Sequence, residues 1–297
     1  MNRLIFGCGY LGQRVAERWV KAGDNVSAFT RSPARAKSLQ NLGIQPIVGD
    51  ITQPHTLANL PPADTILFAV GMDRSKYSDI RQVYVEGLNS VLTRLGTEAT
   101  ADSVRRFMYV SSTGVYGDFG GEWIDEMSPT NPSREGGKAC VEAEGLIASS
   151  PFAEQATILR FAGIYGPDRV PTRKLIETQD WNKLSPNGYL NLIHVEDGAD
   201  IIVQISNSNA ETAAPIAARQ CETFNVSDGA PPLRRDYYDF VAEKIGRPRH
   251  LWDPSQPAPP DSRGSANKRV SNQKLTQRFS FEFNYPDFKS GLEQAMA

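Results

Sequence analysis

Apolar runs of four or five residues alternate with stretches of helical periodicity through the first half of the chain. Strands are predicted at 3–6, 25–29, 45–48, 65–69, 106–110 and 157–160. Between the first two, Leu11, Val15, Trp19 and Val20 recur at helical spacing over 10–22, and Gly23 stops the helix. Short, near-continuous apolar strands separated by helices are the pattern of a parallel sheet covered on both faces. The expected fold class is therefore α/β, a doubly wound parallel sheet. Beyond about residue 165, Pro167, Pro171 and Pro186 break the pattern, and the polar run 206–209 and the proline-rich run 254–260 read as surface loops. One further helix is predicted over 234–245, with Tyr237, Tyr238, Val241 and Ile245 on one face and Gly246 as its stop. No period typical of solenoid repeats is present.

The turn after the first strand carries the first chemical signal. There MNRLIFGCGYLG runs a strand straight into Gly7, Gly9 and Gly12. Gly7 gives the backbone freedom for a sharp turn, Gly9 leaves room for a pyrophosphate, and Gly12 lets the following helix pack tightly on the strand. Glycines alone say little, because any turn uses them. Strand, glycines, helix and second strand within thirty residues together make a dinucleotide-binding βαβ unit. Residues 1–165 accordingly read as a Rossmann-type NAD(P)-binding domain, and 166–297 as a small C-terminal substrate lobe interleaved with it. Cys8 fills a variable position of the loop.

The end of the second strand selects the cofactor, since an acidic side chain there would bind the adenosine ribose, whereas an arginine accommodates a 2′-phosphate. The chain reads Phe29-Thr30-Arg31-Ser32, with no carboxylate. Arg31 and Ser32, with Arg35 nearby, can clamp a phosphate through charge-assisted hydrogen bonds. The plainer alternative is a solvated loop arginine. NADP is expected over NAD.

With 297 residues, 40% of them hydrophobic, the chain can build one large α/β domain and an appended lobe. A net charge of −2 offers no basic field for nucleic acid or anionic lipid. Cys8, Cys140 and Cys221, like His55, His194 and His250, are widely scattered, so neither a disulfide framework nor a metal site is expected. Without a signal peptide or an apolar run long enough to cross a bilayer, the expected location is cytoplasmic. The expected partner is a small-molecule substrate, with no nucleic acid and no membrane; helices of the sheet could pair two copies as a homodimer.

Further strings lie in order along the chain: Gly49-Asp50 after the third strand, Phe68-Ala69-Val70-Gly71 closing the fourth, YVSSTGVYG (109–117), SPTNPSREGGKACVEAE (128–144), LRFAGIYGP (159–167), IHVEDGA (193–199) and FNVSDG (224–229). Together they resemble the extended short-chain dehydrogenase/reductase family, specifically its NAD(P)-dependent epimerase/dehydratase group, over nearly the whole chain. The resemblance implies an adenine contact at Asp50 and small residues Ala69, Val70 and Gly71 beside the cofactor. With Gly7, Gly9, Tyr10, Leu11, Gly12, Thr30, Arg31 and Ser32 these complete the expected cofactor set. It also implies that Ser112 hydrogen-bonds the reacting substrate oxygen and that Lys138 holds the nicotinamide ribose. A strand-end serine and a solvated helical lysine are the plainer alternatives.

The family's catalytic tyrosine lies four residues before that lysine, on the same helix face. Here the position is Arg134, and a guanidinium with a pKa above about 12 shuttles no proton at neutral pH. Tyr84 stands where the central helix usually carries asparagine. In this the chain is similar to the atypical, YeeZ-like epimerases. No tyrosine occurs between Asp118 and Ile164, so Tyr116 or Tyr165 would have to supply the acid, or Arg134 bind a substrate anion. Two readings stay open: an NADP-dependent epimerase, dehydratase or reductase acting on a hydroxyl or carbonyl of a sugar-like or other small polar substrate, and a non-catalytic NADP(H)-binding sensor or scaffold.

Overall fold

In a computed structural model, described over residues 1–73, 75–77, 79–97, 103–208, 221–253, 255 and 266–297, the chain divides into two compact units. The first comprises Met1–Ser112, Glu135–Arg160 and Ala199–Phe224; the second comprises Thr113–Arg134, Phe161–Gly198 and Asn225–Ala297. Numbered along the chain, the strands are β1 Asn2–Phe6, β2 Asn25–Thr30, β3 Gln45–Val48, β4 Thr65–Phe68, β5 Arg106–Ser112, β6 Trp123–Ile124, β7 Ala156–Phe161, β8 Gly163–Tyr165, β9 Leu192–His194, β10 Glu222–Val226 and β11 Arg269–Val270. The helices are α1 Gly12–Lys21, α2 Pro33–Asn41, α3 Gly87–Leu95, α4 Glu135–Ala148, α5 Arg173–Glu177, α6 Val195–Asn207, α7 Arg234–Lys244, α8 Gln273–Phe279 and α9 Phe288–Ala295.

A seven-stranded sheet carries the first unit in the order β10-β7-β5-β4-β1-β2-β3, with β1 paired in parallel to β2 and β4, β2 to β3, and β4 to β5. The order reverses between β1 and β4, the place where open α/β sheets receive ligands at the carboxyl ends of their strands. Just beneath that edge, Phe29, Phe6, Phe68 and Tyr109 stand in register on four adjacent strands. Their ring centroids are 5.4, 6.1 and 6.0 Å apart. Such a row of tilted aromatics locks strand register, and so fixes where the loops leave the sheet.

The arginine of the first strand is buried. Arg3 donates to Asp24 Oδ2 (2.8 Å), Thr65 Oγ1 (2.7 Å) and Asn207 Oδ1 (2.7 Å), and its guanidinium lies over the Trp19 ring. Trp19 Nε1 donates to Ser206 Oγ at 3.0 Å. These bonds overturn the expected loop at 206–209: Ser206 and Asn207 complete the last turn of α6, and Ser206 is buried. Polar residues survive there because each finds a buried partner. Asn209 and most of the 254–260 run lie outside the described residues.

The second unit has two small parallel sheets, β8 with β9 and β6 with β11, and a core of Tyr165, Ile176, Leu192, Tyr237, Val241 and Leu292. Its predicted helix forms as α7 and stops before Gly246, which adopts φ 68°. The IHVEDGA string works structurally: Asp197, fully buried, accepts from the Asn284 amide and Nδ2 at 3.0 Å and from the Tyr285 amide at 2.9 Å.

Candidate functional site

The glycine loop leaves the carboxyl end of β1 beside the end of β4. Gly7 adopts φ +92°, and a Cβ there would stand 2.3 Å from the Ala69 carbonyl oxygen and 2.6 Å from the Val70 nitrogen. A Cβ on Gly12 would stand 2.3 Å from the Gly7 carbonyl oxygen. Both positions therefore require glycine for close approach. Gly9 differs, because a Cβ there would meet nothing within 4 Å. Tyr10 and Leu11 lie in the turn rather than in the helix, which begins at Gly12, and no side chain caps it. The Gln13 amide is bonded to the Gly9 carbonyl oxygen at 2.9 Å, and the positive end of the α1 dipole faces the open space beside Gly9, which suits an anion. Arg35 donates to the Cys8 carbonyl oxygen (3.2 Å) and to Gln13 Oε1, tying α2 to the loop. Burial pushes the Cys8 thiol up to about 11, so it stays a packing group.

At the end of β2, Thr30 hands over to Arg31 and Ser32. Ser32 caps α2 by accepting the Arg35 amide at 3.2 Å. Arg31 is drawn to the segment after β4: Nη2 lies 2.9 Å from Asp73 Oδ2, and the guanidinium sits over the Tyr77 ring. That segment is clasped a second time at Asp50. Asp50 Oδ2 accepts from Lys76 Nζ (2.8 Å) and the Tyr77 hydroxyl, while Oδ1 accepts from the Thr52 amide (3.0 Å) and hydroxyl (2.8 Å). Partial burial alone would raise the Asp50 carboxyl, but these bonds, from Lys76 and Tyr77 first, hold it well below the usual carboxylate range. Asp73, Lys76 and Tyr77 escape a motif reading.

Ser112 ends β5. Against its backbone lies Cys140 of α4, whose thiol burial pushes up to about 11. One residue earlier Ser111 Oγ donates to Glu144 Oε1 at 2.6 Å, and Arg160 binds Glu144 through Nε (3.0 Å) and Nη2 (2.6 Å), all three residues being buried. This network pins α4 to β5 behind Ser112. Lys138, one turn into α4, is exposed and pairs with Glu135 Oε1 at 2.8 Å. Arg134 stands exposed at the residue before α4, so the expected pairing of positions 134 and 138 on one helix face begins only at the cap.

The tyrosines offered as substitutes are packed. Tyr116 is fully buried and its hydroxyl donates to Asn225 Oδ1 at 2.8 Å; Tyr165 is fully buried and donates to the Asp287 carbonyl oxygen at 3.3 Å. Burial pushes the Tyr165 hydroxyl further from ionisation. The structure thus places Tyr116 with no exposed surface and its hydroxyl bonded to a neighbour, the usual arrangement of a buried aromatic. A cleft of about 780 Å³ lies wholly in the second unit, lined by Trp123, Asp125, Glu126, Asn272, Lys274 and Arg278 among others, and contains none of the predicted residues. Among the described residues no His, Cys, Asp and Glu cluster is arranged to hold a metal, and no helix is long and apolar enough to cross a membrane.

The open face of Gly9, the N-terminus of α1 without a side-chain cap and the one-third exposed Arg31 fit a dinucleotide whose pyrophosphate crosses the loop. Fold and site thus define an NAD(P)-binding protein of the Rossmann class. The model of the NAD(P)H-binding family matches residues 7–208, and the chain belongs to that family, within the epimerase/dehydratase group of the short-chain dehydrogenases/reductases. It is similar to protein YeeZ of Escherichia coli, 25% identical over 294 residues, covering 95% of this chain and 96% of that one. It is also similar to a Methylobacillus flagellatus protein assigned as an NAD-dependent epimerase/dehydratase, 30% identical with a TM-score of 0.76, covering 98% and 96% of the two chains. The UDP-glucose 4-epimerase of Bifidobacterium longum shares the fold at 13% identity, TM-score 0.77, with 100% of this chain and 97% of that one covered.

Proposed function

We propose that the protein is an NADP(H)-dependent oxidoreductase or epimerase acting on a hydroxyl or carbonyl of a sugar-like or other small polar substrate. The observation that carries the cofactor half is the end of β2, where Arg31, with no carboxylate beside it in sequence, follows the strand next to an open glycine loop. In this reading Gly7, Gly9, Tyr10, Leu11 and Gly12 seat the pyrophosphate, and Thr30, Arg31 and Ser32 take the adenosine ribose and its 2′-phosphate. Asp50 flanks the adenine through its clasp on the segment after β4, and Ala69, Val70 and Gly71 line the approach. Lys138 exchanges Glu135 for the nicotinamide ribose.

When bound, the nicotinamide supplies hydride transfer. Ser112 orients the substrate oxygen, held in place by the Ser111–Glu144–Arg160 network behind it. Arg134 moves no proton; exposed before α4, it suits an anionic group of the substrate. Without a tyrosine beside Lys138, about 10²–10⁴-fold of general-acid assistance is absent from these residues, so turnover is slow unless the substrate brings its own acid.

The test follows oxidation and reduction at 340 nm over a panel of sugars, aldehydes and ketones. Turnover with NADPH that Ser112→Ala and Lys138→Ala both reduce supports the enzyme. NADPH binding without turnover on any compound, together with Lys138→Ala leaving that binding untouched, refutes it.

A further inference from the structure

The basic residue that would recognise the 2′-phosphate is already paired. Arg31 Nη2 lies 2.9 Å from Asp73 Oδ2, and both side chains are about one-third exposed, 34% and 39%. Asp73 is not held by Arg31 alone. Its Oδ1 accepts from the Ser75 amide at 3.1 Å and from the Ser75 hydroxyl at 2.6 Å, so its own turn orients the carboxylate. The same short segment is anchored again three and four residues past Asp73, where Lys76 and Tyr77 bind Asp50. The carboxylate therefore keeps its place when its Arg31 contact is broken. Tyr77 completes the arrangement, with the Arg31 guanidinium 5.1 Å and the Lys76 ammonium 5.3 Å from its ring centre.

Resting on the NADP reading above, we propose that Asp73 is a specificity-determining residue: an internal carboxylate that occupies Arg31 in the free protein and exchanges for the cofactor's 2′-phosphate. A phosphate carries more charge than a carboxylate and wins the guanidinium, but it does so against a fixed negative neighbour. A cofactor ending in a 2′-hydroxyl meets no such opposition. Asp73 thus narrows the preference for NADP that Arg31 creates, and Arg31 supplies the only route by which it acts.

Calorimetric titration of the full chain tests this with NADPH, NADH, adenosine 2′,5′-bisphosphate and AMP as probes. An exposed ion pair plus one like-charge contact is a modest effect, so Asp73→Asn is expected to tighten NADPH and the bisphosphate about three- to tenfold while NADH and AMP stay within about twofold. Raising the salt concentration shrinks the gain. In an Arg31→Ala background the same substitution changes nothing. Unchanged or weaker NADPH binding by Asp73→Asn, in a protein where Arg31→Ala still costs NADPH selectively, overturns the exchange and leaves the NADP reading standing. Tightening that persists without Arg31 overturns it too. If Arg31→Ala weakens NADPH and NADH equally, both the exchange and the NADP reading fall.

Discussion

Gly9→Ala separates cofactor binding from folding. Gly9 does not adopt a positive φ, and a methyl group built there meets no protein atom within 4 Å. Alanine is then compatible with the native backbone and restricts the unfolded chain, a gain of about 0.4–1 kcal/mol. The thermal midpoint should hold or rise by about 1–4 °C. The space the methyl enters is the space the pyrophosphate needs. Overpacking by one carbon costs about 1–3 kcal/mol, which corresponds to an affinity loss of about 5- to 150-fold. Gly12→Ala serves as the contrast, since its methyl would lie 2.3 Å from the Gly7 carbonyl oxygen and must move the α1–β1 contact. It should lower the midpoint as well as the affinity. Scanning fluorimetry reads the first quantity and calorimetry with NADPH the second. A Gly9→Ala protein that binds NADPH within twofold of wild type would show that no ligand crosses this loop.

Arg31→Ala should weaken NADPH by about tenfold or more and NADH by less, the loss of charge-assisted hydrogen bonds to one phosphate, as read by calorimetry. Arg160→Met strands the buried Glu144 carboxylate and should cost about 3–5 kcal/mol in urea denaturation; a cost below 1 kcal/mol would mean that the pair is dispensable. Burial pushes the Asp228 carboxyl up to about 7, with Asp287 and Asp197 adding to the shift and the Ala230 amide opposing it. The folded chain then keeps a proton that the unfolded chain releases near pH 4, so this contribution to stability is full below about pH 4 and is lost as pH rises through 7. Asp228→Asn should flatten that slope and raise the thermal midpoint at pH 8 relative to pH 5; an unchanged slope would contradict it.

The parts of the site legible in the sequence are those in which neighbours in the chain are neighbours in space. The glycine loop, the end of β2 and the run of small residues after β4 each act within a few positions, so spacing alone reveals them. The side-chain hydrogen bonds between distant residues have no period. Arg31 meets Asp73 across 42 residues, Asp50 meets Tyr77 across 27, and Arg3 meets Asn207 across 204. Strands of two or three residues such as β6, β8 and β11 leave no alternation to detect. Tyr116 was conspicuous as a residue type, but only burial and the bond to Asn225 distinguish a packed phenol from a proton donor. The division into units likewise depends on contacts such as Trp19 to Ser206, which carry α6 back to the first unit.

Titrating the wild-type chain with NADPH and then with NADH, in low and moderate salt, measures the claim on which all else depends. The account predicts saturable binding of one NADPH per chain, tighter than NADH, with the difference shrinking as salt rises. No detectable heat with either dinucleotide, in their reduced or oxidised forms, would contradict it.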